Sequence, residues 1–245
     1  MSGNRLIGIG AVLVVLAGLA GWYVARVQSN PAAALSERNR QAIETVVREY
    51  ILENPEILPE AMENLQRKES SKQLAGIKDE VETPFKGAYL GNPKGSVTLV
   101  EFSDFACGYC RRSVDDINTL LKERPDLRIV MRELPILSPQ SADAARMALA
   151  AAEQGKYAQF HDAMFKAGRP GPESIEAAAR TAGLDMAKAK AAIAAPRIEA
   201  ELSRNMELAR QLGFNGTPSW IVGDELISGA VGAEQLSKAI EKSQS

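Results

Sequence analysis

Hydrophobic residues run unbroken from Leu6 to Ala25, between Arg5 and Arg26. As a helix this stretch spans about 30 Å, the thickness of a bilayer hydrocarbon core. It therefore reads as a transmembrane signal-anchor. A cleaved signal peptide is the alternative, since Gly18-Leu19-Ala20 and Ala32-Ala33-Ala34 have the small-x-small form of a cleavage site. The run continues through Trp22, Tyr23 and Val24, past the end of an ordinary signal core, which favours the anchor. Residues 1–28 are assigned to this segment, and the bulk of the chain is expected to be exported.

Beyond a short linker at Ser29–Leu35, apolar positions recur at helical spacing. Ile43, Val46, Val47, Tyr50 and Ile51 form one stripe of a helix that Ser36 is suited to cap. Asn54-Pro55 ends it and starts the next helix, where Ile57, Leu58, Ala61, Met62 and Leu65 continue an apolar face. Pro59 removes a backbone donor early in that helix, so a kink or a late start near Leu58 is expected. A charged stretch, Gln66–Glu82, closes this helical arm, residues 29–82. The arm is too small to hold a core of its own, and its stripe needs a covering partner: its own domain, a membrane surface or copies of itself.

From Thr83 the pattern changes. Gly87–Gly95 is turn-rich. Ser96–Phe102 is short, β-branched and mostly apolar, the mark of a buried strand. A helix is predicted from about Cys107 to Lys122 and a second strand from Leu127 to Leu134. Residues 138–212 read as Ala-rich helices broken at Gly155, Arg169-Pro170-Gly171, Gly183 and Pro196. Ser219–Gly223 and Glu225–Ser228 are two short strands around Gly223-Asp224, a hairpin signal, and Val231–Lys242 is a closing helix. Strands alternating with helices indicate an α/β sheet layered with helices, with a helical insertion at about 138–212 of a domain covering 83–245.

Composition narrows the chemistry. With a net charge of −2, the chain lacks the basic excess that nucleic-acid binding requires. Two cysteines and one histidine are fewer than the roughly four ligands of a closed zinc site, so no metal is expected. His161, within Phe160-His161-Asp162, reads as a helix-packing residue.

The two cysteines form Cys107-Gly108-Tyr109-Cys110, between a buried strand and a helix. Unpaired N–H groups and partial positive charge at a helix N-terminus stabilise a thiolate and lower its pKa below the free value near 8.5. Cys107, at the helix end, gains most and is the candidate nucleophile; Cys110, one turn inside, is the resolving thiol. A structural staple is the competing reading, but closing so short a loop stabilises by only about 2 kcal/mol. Glu101, six residues before Cys107 in an apolar strand, either reaches solvent at a strand end or accepts the Cys110 proton. Asp104 reads as a turn or capping residue near the surface.

With Phe102-Ser103-Asp104-Phe105-Ala106-Cys107-Gly108-Tyr109-Cys110, the helical insertion and Gly216-Thr217-Pro218, the chain resembles the DsbA-like family of periplasmic thiol–disulfide oxidoreductases over about Thr83–Ile240. The resemblance implies a thioredoxin fold and a redox-active Cys107–Cys110 pair needing no cofactor. It also implies a cis peptide at Thr217-Pro218 facing the cysteines and an acid where Glu101 stands. Thr217, Pro218, Gly108 and Tyr109 are then the candidate substrate-binding residues. Tyr50-Ile51-Leu52-Glu53-Asn54-Pro55-Glu56 resembles the N-terminal oligomerisation segment of the suppressor-of-copper-sensitivity C type, which implies a homo-oligomer, a trimer by resemblance, built by residues 36–74. Strongly oxidising members carry Pro-His between the cysteines. Gly108-Tyr109 departs from that and is shared with bacterial disulfide isomerases.

These readings lead to a periplasmic enzyme, anchored to the inner membrane by residues 6–25 or soluble after signal cleavage, that forms, isomerises or reduces disulfides of exported cysteine-containing proteins and is reset by a membrane redox partner. The alternatives are a dedicated reductant in cytochrome c maturation and an adaptor that binds copper or thiols through Cys107 and Cys110.

Overall fold

The two β-branched runs form the centre of a five-stranded sheet in this computed structural model, which describes residues 22–23 and 37–244. In chain order the elements are α1 (Glu37–Glu53), α2 (Ile57–Leu74), α3 (Lys78–Glu82), β1 (Tyr89–Gly91), β2 (Val97–Ser103), α4 (Gly108–Glu123) and β3 (Leu127–Glu133). They continue with α5 (Pro139–Glu153), α6 (Tyr157–Ala167), α7 (Pro172–Thr181), α8 (Met186–Ile193), α9 (Pro196–Gln211), β4 (Ser219–Val222), β5 (Glu225–Ser228) and α10 (Ala233–Ser243). The anchor or signal segment lies outside the described residues except for Trp22 and Tyr23. Among the described residues no helix is long and apolar enough to cross a membrane.

By contact the chain divides into two units, residues 1–63 and 64–245. In the first, α1 carries the stripe read from the sequence, and Ile43, Val46, Val47 and Tyr50 are all exposed. The Asn54 N–H and its side-chain amide both donate to Tyr50 O, closing α1 before Pro55. α2 starts at Ile57 without waiting for Pro59. The proline falls in the first turn, where backbone donors have no intrahelical partner to lose. Residues 64–82, grouped with the arm on pattern alone, belong by contact to the second unit, and Leu74 and Val81 lie in its core.

In the second unit the sheet order is β1-β3-β2-β4-β5. β2 and β3 are parallel, in register from Val97↔Leu127 to Ser103↔Glu133, and α4 is the crossover that parallel neighbours require. The other pairings are antiparallel. Gly223 takes φ +57° in the turn between β4 and β5, a conformation that suits glycine. The turn-rich stretch Gly87–Gly95 contains one strand that the pattern does not reveal, β1. It is three residues long and pairs only with β3, so no alternation marks it.

Side chains alternate across the sheet. Leu99, Ile129, Met131, Trp220 and Val222 enter the larger core with both cysteines and the insertion helices. Val100, Phe102, Val130 and Ile221 face a smaller core with Leu74, Val81, Leu208 and Phe214. Each face is thus covered by helices, and the strands can be almost wholly apolar.

Candidate active site

Cys107 is the N-cap of α4, and its Sγ accepts the Cys110 N–H at 3.4 Å. The same Sγ lies 3.1 Å from Thr217 O, to which the thiol donates. The Thr217–Pro218 bond is cis. Both cysteines are free thiols, Cys110 the more enclosed of the two. The Cys110 thiol stabilises a thiolate at Cys107 and, against the opposing effect of burial, pulls Cys107 down to about 5. The Thr217 side chain and the Cys110 and Tyr109 backbone donors add to this. Cys110 moves the opposite way, raised by burial and by its contact with Cys107, with the Glu101 charge adding. One thiol is therefore ready to ionise while its partner holds its proton.

Glu101 sits in mid-sheet between Met131 and Trp220. It is 1% exposed, and among the described residues neither carboxyl oxygen has a hydrogen-bond partner. Burial raises it to about 8, with nearby Ser103 opposing only in part and Cys107 adding repulsion. Of the two readings open for Glu101, solvent contact at a strand end is ruled out by this burial. Asp104 is also buried, contrary to the surface position expected from the sequence. Its carboxylate nonetheless serves the turn: it accepts from Ala106 N at 2.8 Å and from Ile136 N and Leu137 N at 2.9 and 3.0 Å. Asp104 thereby ties the exposed apolar pair Ile136-Leu137 to the loop that carries the cysteines.

Beneath the site lie two buried groups, of which Glu133 escapes a motif-based reading. Glu133, the last residue of β3, is raised to about 8 by burial, although Tyr157 Oη donates to its Oε1 at 2.6 Å. A carboxylate at the end of an apolar strand, the same signal that singles out Glu101, marks it in the sequence. His161 packs against Phe105, Tyr157 and Phe165, with ring centroids 6.0, 5.9 and 4.8 Å away. Burial lowers it to about 4, so it is neutral in a helix-packing position. Gly108 and Tyr109 are exposed beside Cys107, and the Arg112 guanidinium lies 4.3 Å over the Tyr109 ring. Among the described residues no group of three or more His, Cys, Asp or Glu side chains is placed to hold a metal ion.

Residues 98–241 match the family model described as DSBA-like thioredoxin domain, and residues 39–71 match the copper resistance protein ScsC N-terminal domain. A thioredoxin-like oxidoreductase from Silicibacter pomeroyi is 41% identical, with TM-score 0.64 over 68% of this chain and 97% of that one. The thiol-disulfide exchange protein alpha-DsbA2 from Wolbachia pipientis is 30% identical, with TM-score 0.67 over 73% and 97% of the two chains. Proteus mirabilis ScsC in a compact conformation is 26% identical, with TM-score 0.64, and the match covers 84% of this chain and 98% of that one. Among curated proteins, the Na(+)/H(+) antiporter NhaA 3 of Salinispora tropica is 29% identical over 160 residues. That match takes in 64% of this chain, which spans about a quarter of the length of such relatives.

Proposed function

The chain belongs to the DSBA-like thioredoxin family of thiol–disulfide oxidoreductases, and on that premise we propose that it exchanges disulfides in exported proteins through Cys107 and Cys110. The observation that carries this reading is the placement of the two thiols across one turn of α4: Cys107 caps the helix, its Sγ 3.4 Å from Cys110 N and 3.1 Å from Thr217 O, a setting that pulls Cys107 down and, with burial, pushes Cys110 up. The Cys107 thiolate attacks a substrate disulfide, forming one Cys107–substrate bond and releasing the other substrate sulfur as a thiolate. Cys110 then gives its proton to Glu101 and attacks the Cys107 sulfur. The Cys107–Cys110 bond forms, the Cys107–substrate bond breaks, and the substrate leaves as a thiolate. The substrate chain runs past Gly108, Tyr109, Thr217 and Pro218, which border the reacting sulfur.

Run forward once, the sequence reduces a disulfide; run in reverse, it makes one; stopped and restarted on one substrate, it isomerises. Gly108-Tyr109 and the match to an ScsC N-terminal domain support isomerisation as the main activity, in an oligomer assembled through the arm. The likeness to a periplasmic thioredoxin-like protein from Salmonella enterica supports a periplasmic location. A membrane redox partner would return the pair to its working state.

The test is trapping with a scrambled disulfide substrate. Cys107→Ser should abolish turnover and form no adduct, whereas Cys110→Ser should accumulate mixed disulfides, read by non-reducing electrophoresis and mass spectrometry. Equal trapping by both variants would sink the role assignment. Tight binding of a soft metal with no turnover by the parent would favour the adaptor instead.

A further inference from the structure

We propose that Glu133, held by Tyr157, is a positioning residue for Glu101: its carboxylate fixes the pH at which Glu101 accepts the Cys110 proton. The proposal rests on the reading of Glu101 as proton acceptor and extends it to a second acid one strand away.

The geometry follows from register. β2 and β3 are parallel, Glu101 lies opposite Met131, and Glu133 is two residues further along β3. Alternation puts Glu101, Met131 and Glu133 on one face, and that face belongs to the core that contains Cys107 and Cys110. An interstrand step of about 4.8 Å and a two-residue rise of about 6.6 Å place the Glu101 and Glu133 Cα atoms roughly 8 Å apart. Both side chains are 1% exposed.

The groups that surround the pair are few. Glu101 and Ser103 come from β2, Asp104 from the following loop, and Cys107 and Cys110 from α4. Tyr157 and His161 come from α6, with Tyr157 Oη bonded to Glu133 at 2.6 Å and stacked near the neutral His161. β4 contributes Trp220 and no charge. The neighbouring cation, Arg132, points to the other face, where its guanidinium is taken by Glu201 and by carbonyls at the end of α3. Among the described residues neither carboxylate has an ion-pair partner.

Two such carboxyls cannot both ionise cheaply, so they titrate as a pair. An ionised Glu133 makes Glu101 a stronger base, better matched to a resolving thiol that holds its proton tightly. The Tyr157 hydroxyl, by donating to Glu133, keeps that charge in place. When Cys110 attacks Cys107, its proton goes to Glu101. When a substrate thiolate reopens the Cys107–Cys110 bond, Cys110 takes the proton back. Both carboxyls are raised to about 8, so the pair passes through its one-proton state as pH rises through about 8, and there it can both accept and return the Cys110 proton, which is what isomerisation demands.

The experiment follows glutathione release after the reduced full chain is mixed with oxidised glutathione, by quenched flow and mass spectrometry from pH 5 to 10. The first glutathione reports attack by Cys107, and the second reports resolution by Cys110. For Glu133→Gln the inflection of the second step should move to lower pH by on the order of one unit, the scale of repulsion between two buried carboxylates whose Cα atoms are roughly 8 Å apart, at an effective dielectric near 20. Its plateau rate at high pH should fall several-fold, because Glu101 is then the weaker base. Tyr157→Phe should shift the inflection the same way by less, and the double variant should shift it no further than Glu133→Gln alone. Lower rates with an unmoved inflection in both variants would mean a structural role and overturn the proposal. If Glu133→Gln does not fold, the conservative Tyr157→Phe decides by the same criterion. A Glu101→Gln control that keeps the parent profile would overturn the Glu101 reading and this proposal with it; loss of the inflection there, with none moved by Glu133→Gln or Tyr157→Phe, would overturn this proposal alone.

Discussion

At Glu101 the chain carries a carboxyl buried among apolar side chains without a partner, and thermodynamics makes that burial visible. An unfolded Glu titrates near pH 4.3, the folded one at about 8. Between those values the native state binds more protons than the unfolded state. Stability from this group is therefore complete below about pH 4.3 and is lost as pH rises through 8. Glu101→Gln should remove the loss: the variant should equal the parent at pH 4 and exceed it at pH 8 by about 2–4 kcal/mol. Urea unfolding of the disulfide form is the suitable measurement, since Cys107 then has no thiol to titrate. The same variant should resolve mixed disulfides more slowly, so stability and activity move in opposite directions. A parent as stable as the variant at pH 8 would mean that the carboxyl is not buried in solution.

At the scale of elements, Arg132 shows how β3 serves two faces at once. Its neighbour Glu133 looks toward the cysteines, while the Arg132 guanidinium reaches Glu201 at 2.8 Å, Asn205 Oδ1 at 3.0 Å, Thr83 O at 2.6 Å and Val81 O at 3.2 Å. It also bonds to Glu80 O. These carbonyls lie at the end of α3, where a helix lacks intrahelical donors and a cation is favoured. The side chain is 3% exposed, so Arg132→Met would leave Glu201 and several carbonyls unpaired. The expected cost is about 3–5 kcal/mol, read as a lowered denaturant midpoint. The potential of the cysteine pair should hardly change, because the clamp lies on the opposite face of the sheet. A large change in potential with intact stability would contradict this division of labour.

For the whole molecule, the exposed stripe of α1 is the feature that calls for a partner. Self-association there would place several cysteine pairs around one substrate, which raises the local concentration at which a released thiol is attacked again. Chains beginning after Arg26 should be oligomeric by light scattering, and chains beginning at Asn64 monomeric. The shorter chain should retain oxidation of dithiols and lose isomerisation of a scrambled substrate. The cut belongs at residue 63 and not at 74, because Leu74 is part of the smaller core of the catalytic unit. Monomers in both preparations would refute the interface and leave the arm as a spacer.

How much of this was legible in the chain depends on the range of the forces involved. The strands from Val97 and Leu127, the insertion helices and their breaks at Gly155, Gly183 and Pro196 are local: periodicity and backbone preference define them, and the structure follows them closely. The Cys107–Cys110 spacing is local too, and by itself it determined that the two thiols share one turn at a helix start. β1 was not legible, because a three-residue edge strand exists only through its pairing with β3. The place of residues 64–82 was not legible either, since Leu74 and Val81 find their core across the sheet. Glu101 and Glu133 are 32 positions apart in sequence, and only the parallel register of β2 and β3 makes them diagonal neighbours. Sequence determined which groups can ionise and on which elements they sit; tertiary structure decided which lose their water and which face one another, because desolvation and Coulomb repulsion depend on distances that the chain acquires only on folding.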